Sequence, residues 1–185
     1  MPRAGLDAAA VTAAGADLAD EVGFDRLGMG AVADRLGVRP PSLYKHVTSL
    51  ADLHQRIAVL ATTELGDTLR EELQGLSGVD ALRAAAQAFR GYVQEHPGRY
   101  AATLGDRRTA PDDEFARAGD RVLRSLAVVL RGYGIAPAEE VHALRMLRSA
   151  LHGFATLEAG GGFQLGTDVE DSFTWLVGFL DRGLR

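Results

Sequence analysis

The sequence contains no cysteine among its 185 residues, so neither a disulfide framework nor a thiolate metal site is possible. It also lacks any unbroken apolar stretch near the roughly 20 residues that a membrane-spanning helix requires. The N-terminal segment, residues 1–23, is rich in alanine but interrupted by Asp and Glu, unlike a signal peptide. These absences favour a cytoplasmic protein without a membrane partner, and the chain is long enough to bury a sizeable core.

Catalytic and metal-binding motifs are also missing. There is no P-loop and no GxSxG sequence. His142 and His152 lie ten positions apart, which does not place them on one helical face at ligand spacing. We therefore expect neither an enzyme nor a metal or cofactor site.

Apolar residues recur at the three- to four-residue spacing of amphipathic helices, and no alternating β-strand pattern occurs. This pattern predicts an all-α fold with about nine helices. Asp7, Gly28 and Ser49 are predicted N-caps, with Ser49 and Asp52 at capping-box spacing. A polar loop is expected over 105–110. The expected helices cover 6–22, 29–36, about two turns over 41–46, 50–73, 79–95, a short piece over 100–104, 115–133, 139–158, and a last helix that begins with a capping box of Thr167 and Glu170.

Residues 28–50 combine two short helical patterns around a glycine-containing turn. Val32 and Leu36 share one face of the first pattern, and Gly37 stands where a left-handed residue would end it. Pro40 suits the first position of the second helix. Two short helices joined in this way form a helix-turn-helix, whose second helix can enter a DNA major groove.

Positive charge is concentrated in this part of the chain. Residues 26–60 hold five basic side chains against two acidic ones, a net charge of +3. The whole chain carries −5, so the remainder carries −8. A modest basic patch at the predicted reading helix is consistent with DNA binding despite the acidic total.

Three residues at the start of the second helix are candidates for sequence readout. Pro41 could contact a thymine methyl group, and Ser42 could bond to several different bases. Arg39 could bond to either a guanine or a phosphate, and the sequence does not separate these two roles. Such limited readout implies that specificity requires two copies of the protein on a palindromic DNA site.

The run ADRLGV at 33–38, followed by SLYKHV at 42–47, resembles the helix-turn-helix of TetR-type transcriptional regulators. LHGFATLE at 151–158 and GGF at 161–163 resemble the C-terminal region of the TetR subgroup with a Trp-His-Gly type regulatory domain. The resemblance implies a DNA-binding domain over 1–49 and a ligand-binding and dimerisation domain over 50–185.

The resemblance also implies that Tyr44, Lys45 and His46 hold DNA phosphates, although Tyr44 and His46 could instead only pack the helix-turn-helix. Thr48 completes the expected DNA-contacting set. Gly28 and Leu50 depart from the family pattern, which usually has a hydroxyl residue and a lysine at these two positions.

TetR-type proteins bind a small molecule among their middle helices and then release DNA. Six side chains suit such a pocket, because they are mostly apolar and two of them carry a hydroxyl group. Packing in the protein core would explain the same six residues equally well. They are Phe89, Tyr92, Tyr100, Leu104, Phe115 and Met146.

The last two helices carry more apolar residues than one core requires, which favours a two-fold interface between identical chains. In the resembling family these helices form a four-helix dimer core. The expected interface residues are Leu147, Leu151, Phe154, Trp175 and Phe179.

These features together predict a homodimeric DNA-binding repressor that a small apolar effector of unknown identity releases from its operator. An all-α ligand carrier or enzyme with a vestigial DNA-binding module is an alternative, to which Gly28 and Leu50 lend some support. A non-repressing interaction protein or an activator on the same scaffold is a further alternative.

Overall fold

The computed structural model of the protein describes residues 6–105 and 113–185. Over these ranges the chain forms nine α-helices and a 3-10 turn at Phe24–Arg26, without a β-strand, so the all-α prediction is confirmed. The expected polar loop over 105–110 lies outside the described residues, apart from Gly105. No helix in the described ranges has the length and apolarity needed to cross a bilayer. The helices are α1 (Ala8–Val22), α2 (Met29–Leu36), α3 (Pro40–Leu43), α4 (Leu50–Glu72), α5 (Gly78–Glu95), α6 (Pro97–Ala102), α7 (Glu114–Arg131), α8 (Glu140–Ala159) and α9 (Val169–Leu184).

The described residues form two compact units. The first unit contains those of Met1–Thr62 and His96–Phe115, and the second contains those of Thr63–Glu95 and Ala116–Arg185. Helix α4 therefore contributes residues to both units. Helix α6 belongs to the same unit as the N-terminal helices, although it follows α5 in the sequence.

The core of the first unit is built from α1, α2, α3 and the first half of α4. The predicted cap of α1 is present, because the Ala10 amide donates to Oδ1 of Asp7 at 2.7 Å. The apolar face that the helical spacing predicts for α1 is buried as expected, apart from half-buried Val22. The large core side chains are Val11, Leu18, Val32, Leu43, Val47, Leu53 and Ile57.

Helix α6 packs closely against the end of α1. A Cβ at Gly98 would lie 2.0 Å from the carbonyl oxygen of Ala19, so this approach requires glycine. The Arg99 amide donates to Oδ1 of Asp20 at 2.8 Å, and Nε of Arg99 lies 2.9 Å from Oδ2 of the same carboxylate. A glycine contact and an ion pair together attach α6 to α1.

The start of α6 corrects an expectation from the sequence. The preceding helix ends at Glu95 as expected, but the short helix predicted over 100–104 covers Pro97–Ala102. It starts earlier because Pro97 occupies the first helical position, which favours proline.

In the second unit, Arg90 joins α5 to α8 and α9. Its Nε and Nη2 atoms donate to the two carboxylate oxygens of Glu158 at 2.7 and 2.6 Å, and Nη1 donates to Glu170 at 2.5 Å. The guanidinium carbon lies 4.4 Å from the centroid of the Phe173 ring. The hydrogen bonds to Glu158 raise the pKa of Arg90, so this side chain remains a cation.

The cap of α9 also differs from the expected one. Asp168, rather than Thr167, is the N-cap residue, and its Oδ1 accepts from the Glu170 amide at 2.7 Å. The Glu170 side chain does not complete a capping box, because it bonds to Arg90 instead. A distant cation therefore competes successfully with the local backbone amide for this carboxylate.

We expect Gly98→Ala to lower the free energy of unfolding by roughly 1–3 kcal/mol, because the added methyl group would force α6 away from the Ala19 backbone. Urea unfolding would measure this change. Gly91→Ala on α5 is the matched control, since no atom lies within 4 Å of its added Cβ. It should stabilise its helix by about 0.5–1 kcal/mol. Equal unfolding midpoints for wild type and Gly98→Ala would contradict the prediction.

We expect Gly28→Ser to raise the free energy of unfolding by a few tenths of a kcal/mol, because a serine hydroxyl can accept from the first free amides of α2. Gly28 is the N-cap, its backbone is extended (φ −142°), and no atom lies within 4 Å of an added Cβ. Gly28→Ala adds the same Cβ without the hydroxyl and should be less stable than Gly28→Ser. Indistinguishable denaturation curves for the two variants would show that the cap contributes nothing.

Candidate nucleic-acid interface

The turn between α2 and α3 has the geometry that the sequence predicts. Gly37 is left-handed, with φ 65° and ψ 32°. The amides of Gly37 and Val38 donate to the carbonyl groups of Asp34 and Ala33 at 3.1 and 3.0 Å. These bonds satisfy the last carbonyl groups of α2 and reverse the chain towards α3.

Helix α3 is shorter than expected. Its α-helical part covers Pro40–Leu43, with Pro40 at the predicted first position, and a turn over 44–46 continues it. The amides of His46 and Val47 both donate to the Leu43 carbonyl, at 2.8 and 2.9 Å. The segment therefore makes one helical turn followed by a tighter turn, where the sequence predicted about two helical turns.

Burial of two apolar residues determines which side chains of this segment face solvent. Leu43 and Val47 are completely buried in the first unit's core. The Tyr44 side chain is 52% exposed, which does not support a role for it in core packing alone. All seven expected DNA-contacting residues retain accessible surface: Arg39, Pro41, Tyr44, Lys45 and Thr48 are exposed, and Ser42 and His46 are half-buried.

The carboxylate of Asp52 links the end of this segment to α4. The Asp52 amide donates to Oγ of Ser49 at 3.0 Å, which is the expected first half of the capping box. In a complete capping box the Asp52 carboxylate would accept from the Ser49 amide. Instead, its Oδ2 atom accepts from the amide and hydroxyl of Thr48 at 2.7 and 3.1 Å. The Thr48 amide lowers the pKa of Asp52, so this carboxylate is ionised at neutral pH.

The expected effector residues are divided equally between the two units. In the first unit, Tyr100 is buried, Phe115 is half-buried against the core, and Leu104 is 48% exposed. In the second unit, Phe89 and Tyr92 are buried on α5. The Tyr92 hydroxyl donates to Oε2 of Glu64 at 2.9 Å.

Met146, the sixth expected effector residue, lies on the surface of α8, where it is 39% exposed. It therefore does not share the burial of Phe89 and Tyr92 within the second unit.

The second unit also contains a cavity of about 270 Å³ between α5 and α9. None of the six expected effector residues lines it. Its lining combines apolar and polar side chains, namely Val79, Arg83, Gln87, Phe173, Thr174, Val177, Gly178 and Asp181.

The expected interface residues also differ in burial. Leu147 and Leu151 are buried inside the second unit, so neither offers surface to another chain. This corrects their expected role as direct interface residues. Phe154 is half-buried, with its ring centroid 5.2 Å from that of Phe173.

Trp175 and Phe179 on α9 are 65% and 54% exposed. Their rings stack with centroids 5.5 Å apart and an interplanar angle of 14°. Three further exposed apolar residues, Val141, Met146 and Leu157, lie on α8. These five residues and the accessible part of Phe154 all contribute to the apolar surface of α8 and α9.

Two family models match the chain. The model described as "Bacterial regulatory proteins, tetR family" matches residues 11–57, which include α2 and α3. The model described as "Tetracyclin repressor-like, C-terminal domain" matches residues 82–180, more than half of the chain.

Two curated relatives share most of their length with this chain. The HTH-type transcriptional regulator YobS of Bacillus subtilis (strain 168) is 31% identical over 184 residues, 99% of this chain and 95% of the relative. The HTH-type transcriptional regulator Rv0681 of Mycobacterium tuberculosis (strain ATCC 25618 / H37Rv) is 33% identical over 166 residues, 90% of this chain and 76% of the relative.

Solved structures show the same fold. A protein from Rhodococcus sp. RHA1 superposes with a TM-score of 0.81 at 21% identity, covering 98% of this chain and 96% of the other. A TetR variant from Acinetobacter baumannii AYE in complex with minocycline superposes with a TM-score of 0.69 at 26% identity, covering 97% and 96%. The matching family models, together with the two curated relatives, show that the chain belongs to the TetR family of DNA-binding bacterial transcriptional regulators.

Proposed function

We propose that the protein is a homodimeric repressor that binds a palindromic DNA operator through α3 and leaves it when a small apolar effector binds. The observation that carries this proposal is the exposure of the polar side chains of residues 39–48 around the buried pair Leu43 and Val47. We assign residues 1–49 to DNA binding and residues 50–185 to effector binding and dimerisation.

Readout of bases is assigned to the start of α3. Pro41 and Ser42 lie in its single helical turn, and Arg39 precedes it as the N-cap. The N-terminal residues of a recognition helix are those that contact base edges in this motif. Two or three such side chains distinguish few base pairs, so one copy of the protein would bind DNA with little specificity.

Phosphate binding is assigned to the residues that follow. Lys45 supplies a positive charge, Tyr44 and Thr48 supply hydroxyl groups, and His46 supplies a ring nitrogen. Such contacts orient the protein on the duplex without selecting its sequence. Together with the limited base readout, this division favours a dimer on a two-fold symmetric operator.

The surface of α8 and α9 suits a second copy of the same chain. Trp175 and Phe179 expose large stacked rings, which would be costly to leave in water on an isolated monomer. Met146 and Leu157 extend the apolar surface onto α8. A two-fold interface would place this apolar patch against the same patch of the second copy.

Effector binding is proposed among the middle helices. The candidate residues are Phe89, Tyr92 and Met146 in the second unit, and Tyr100, Leu104 and Phe115 in the first, each set taken by itself. The likeness to a TetR variant that was solved in complex with minocycline supports small-molecule binding. An effector can release DNA only if it binds more tightly to a conformation that does not fit the operator. The alternative of a carrier or enzyme is not favoured, because both curated relatives are transcriptional regulators.

We expect Tyr44→Phe combined with Lys45→Gln to weaken binding to every duplex by at least roughly tenfold, because phosphate contacts are independent of sequence. Fluorescence anisotropy with the promoter DNA that flanks the gene, and with a scrambled duplex of equal length, would measure both affinities. Ser42→Ala is the matched comparison and should change mainly the ratio of the two affinities. Unchanged binding by the double variant would refute the assignment of phosphate contacts.

We expect Trp175→Glu combined with Phe179→Glu to convert the dimer to a monomer, because two charges would have to be buried in the proposed interface. Sedimentation velocity would report the oligomeric state, and operator affinity should fall in parallel. Leu165→Glu is the control, since Leu165 is a highly exposed apolar residue outside α8 and α9 and should leave the dimer intact. A double variant that remains dimeric would place the interface elsewhere.

A further inference from the structure

Arg56 lies on α4, outside the residues assigned so far to DNA contact. Its Nε atom donates to Oδ1 of Asp52 at 2.9 Å, and its side chain is 42% exposed. The other oxygen of the same carboxylate accepts from the amide and hydroxyl of Thr48. A single carboxylate therefore holds Arg56 beside Thr48, which belongs to the segment that carries the proposed phosphate contacts.

The bond to Asp52 occupies only one donor of the guanidinium group. Because Nε makes this bond, the edge formed by the two terminal amino groups is left for another acceptor. Among the described residues, Asp52 is the carboxylate that pairs with Arg56. Two adjacent N–H donors on a planar arginine match the oxygens of a phosphate group. The geometry therefore offers an oriented phosphate-binding edge.

Two other arginines that pair with carboxylates use their terminal nitrogens for the pairing, whereas Arg56 uses Nε. Arg70, also on α4, uses both terminal nitrogens, with Nη1 3.0 Å from Asp67 and Nη2 3.8 Å from Glu71. Arg35 pairs through Nη2 with Glu21. Arg56 differs from both, because its pairing with a carboxylate leaves the terminal amino groups available.

We propose that Arg56 binds a backbone phosphate of the DNA next to the Thr48 end of the α3 segment, through its two terminal amino groups. This inference rests on the proposed docking of α3 on DNA. The position matters because Leu50, at the start of α4, supplies no charge to the phosphates. Arg56 provides that charge from six residues further along the helix, about 1.7 turns, and its bond to Asp52 keeps it near the helix start.

The test uses the full-length protein, the promoter duplex that flanks the gene, and a scrambled duplex of equal length. Anisotropy titrations over a series of salt concentrations give the slope of log affinity against log salt for each variant. Arg56→Gln should reduce this slope by about one per subunit, and lower affinity for both duplexes roughly tenfold at low salt. Arg56→Lys, which keeps the charge but loses the planar fork, should retain the slope and bind with intermediate affinity.

Arg70→Gln is the matched control, because it removes the same charge from the same helix and should leave both slope and affinity unchanged. An unchanged salt slope for Arg56→Gln would overturn the inference. So would an equal loss for Arg70→Gln, which would indicate a general charge effect, or a loss confined to the promoter duplex, which would indicate a base contact. If Arg56→Gln binds normally while the Tyr44 and Lys45 double variant does not, the proposed function stands and only this inference fails.

Discussion

The complete burial of Leu43 and Val47 is the constraint on which the candidate DNA surface depends. Helix α3 contains a single helical turn, which would not persist in isolation, because short helices lose more conformational entropy than their few hydrogen bonds recover. Burial of a leucine side chain contributes roughly 2 kcal/mol, enough to hold such a turn against its neighbours. With these two residues inside, Tyr44 and Lys45 must face outward. The exposure of the groups proposed to bind phosphates is therefore a consequence of core packing.

Arginine–carboxylate bonds connect helices that are distant in sequence within each unit. Arg99 joins α6 to α1 through Asp20, and Arg90 joins α5 to α8 through Glu158. Ion pairs that are mostly buried lose much of their Coulombic attraction to desolvation, so their net contribution to stability is small. Their geometry is nevertheless specific, because a misplaced helix would leave a charge buried without a partner.

Local signals in the sequence were reliable where one residue and its immediate neighbours decide the outcome. Gly37 adopts the left-handed conformation, Asp7 caps α1, and Pro40 begins α3, each as the sequence predicts. The start of α6 was wrong because proline can either follow one helix or begin the next. The cap of α9 was wrong because Glu170 forms a bond with Arg90, 80 residues away, which no local pattern reveals.

The sequence assigned Leu147, Leu151, Trp175 and Phe179 alike to the expected interface between two copies of the chain. The structure buries the first two, since α5 packs against α8, whereas Trp175 and Phe179 on α9 stay 65% and 54% exposed. The sequence by itself determined the all-α class and the turn of the helix-turn-helix, since periodicity and the backbone preferences of glycine and proline act over a few residues. Its motifs also carried the resemblance to the TetR family. Only the tertiary structure decided which apolar side chains stay exposed and which carboxylate each arginine meets. Those outcomes depend on residues as far apart as Arg90 and Glu158, which are brought together by packing.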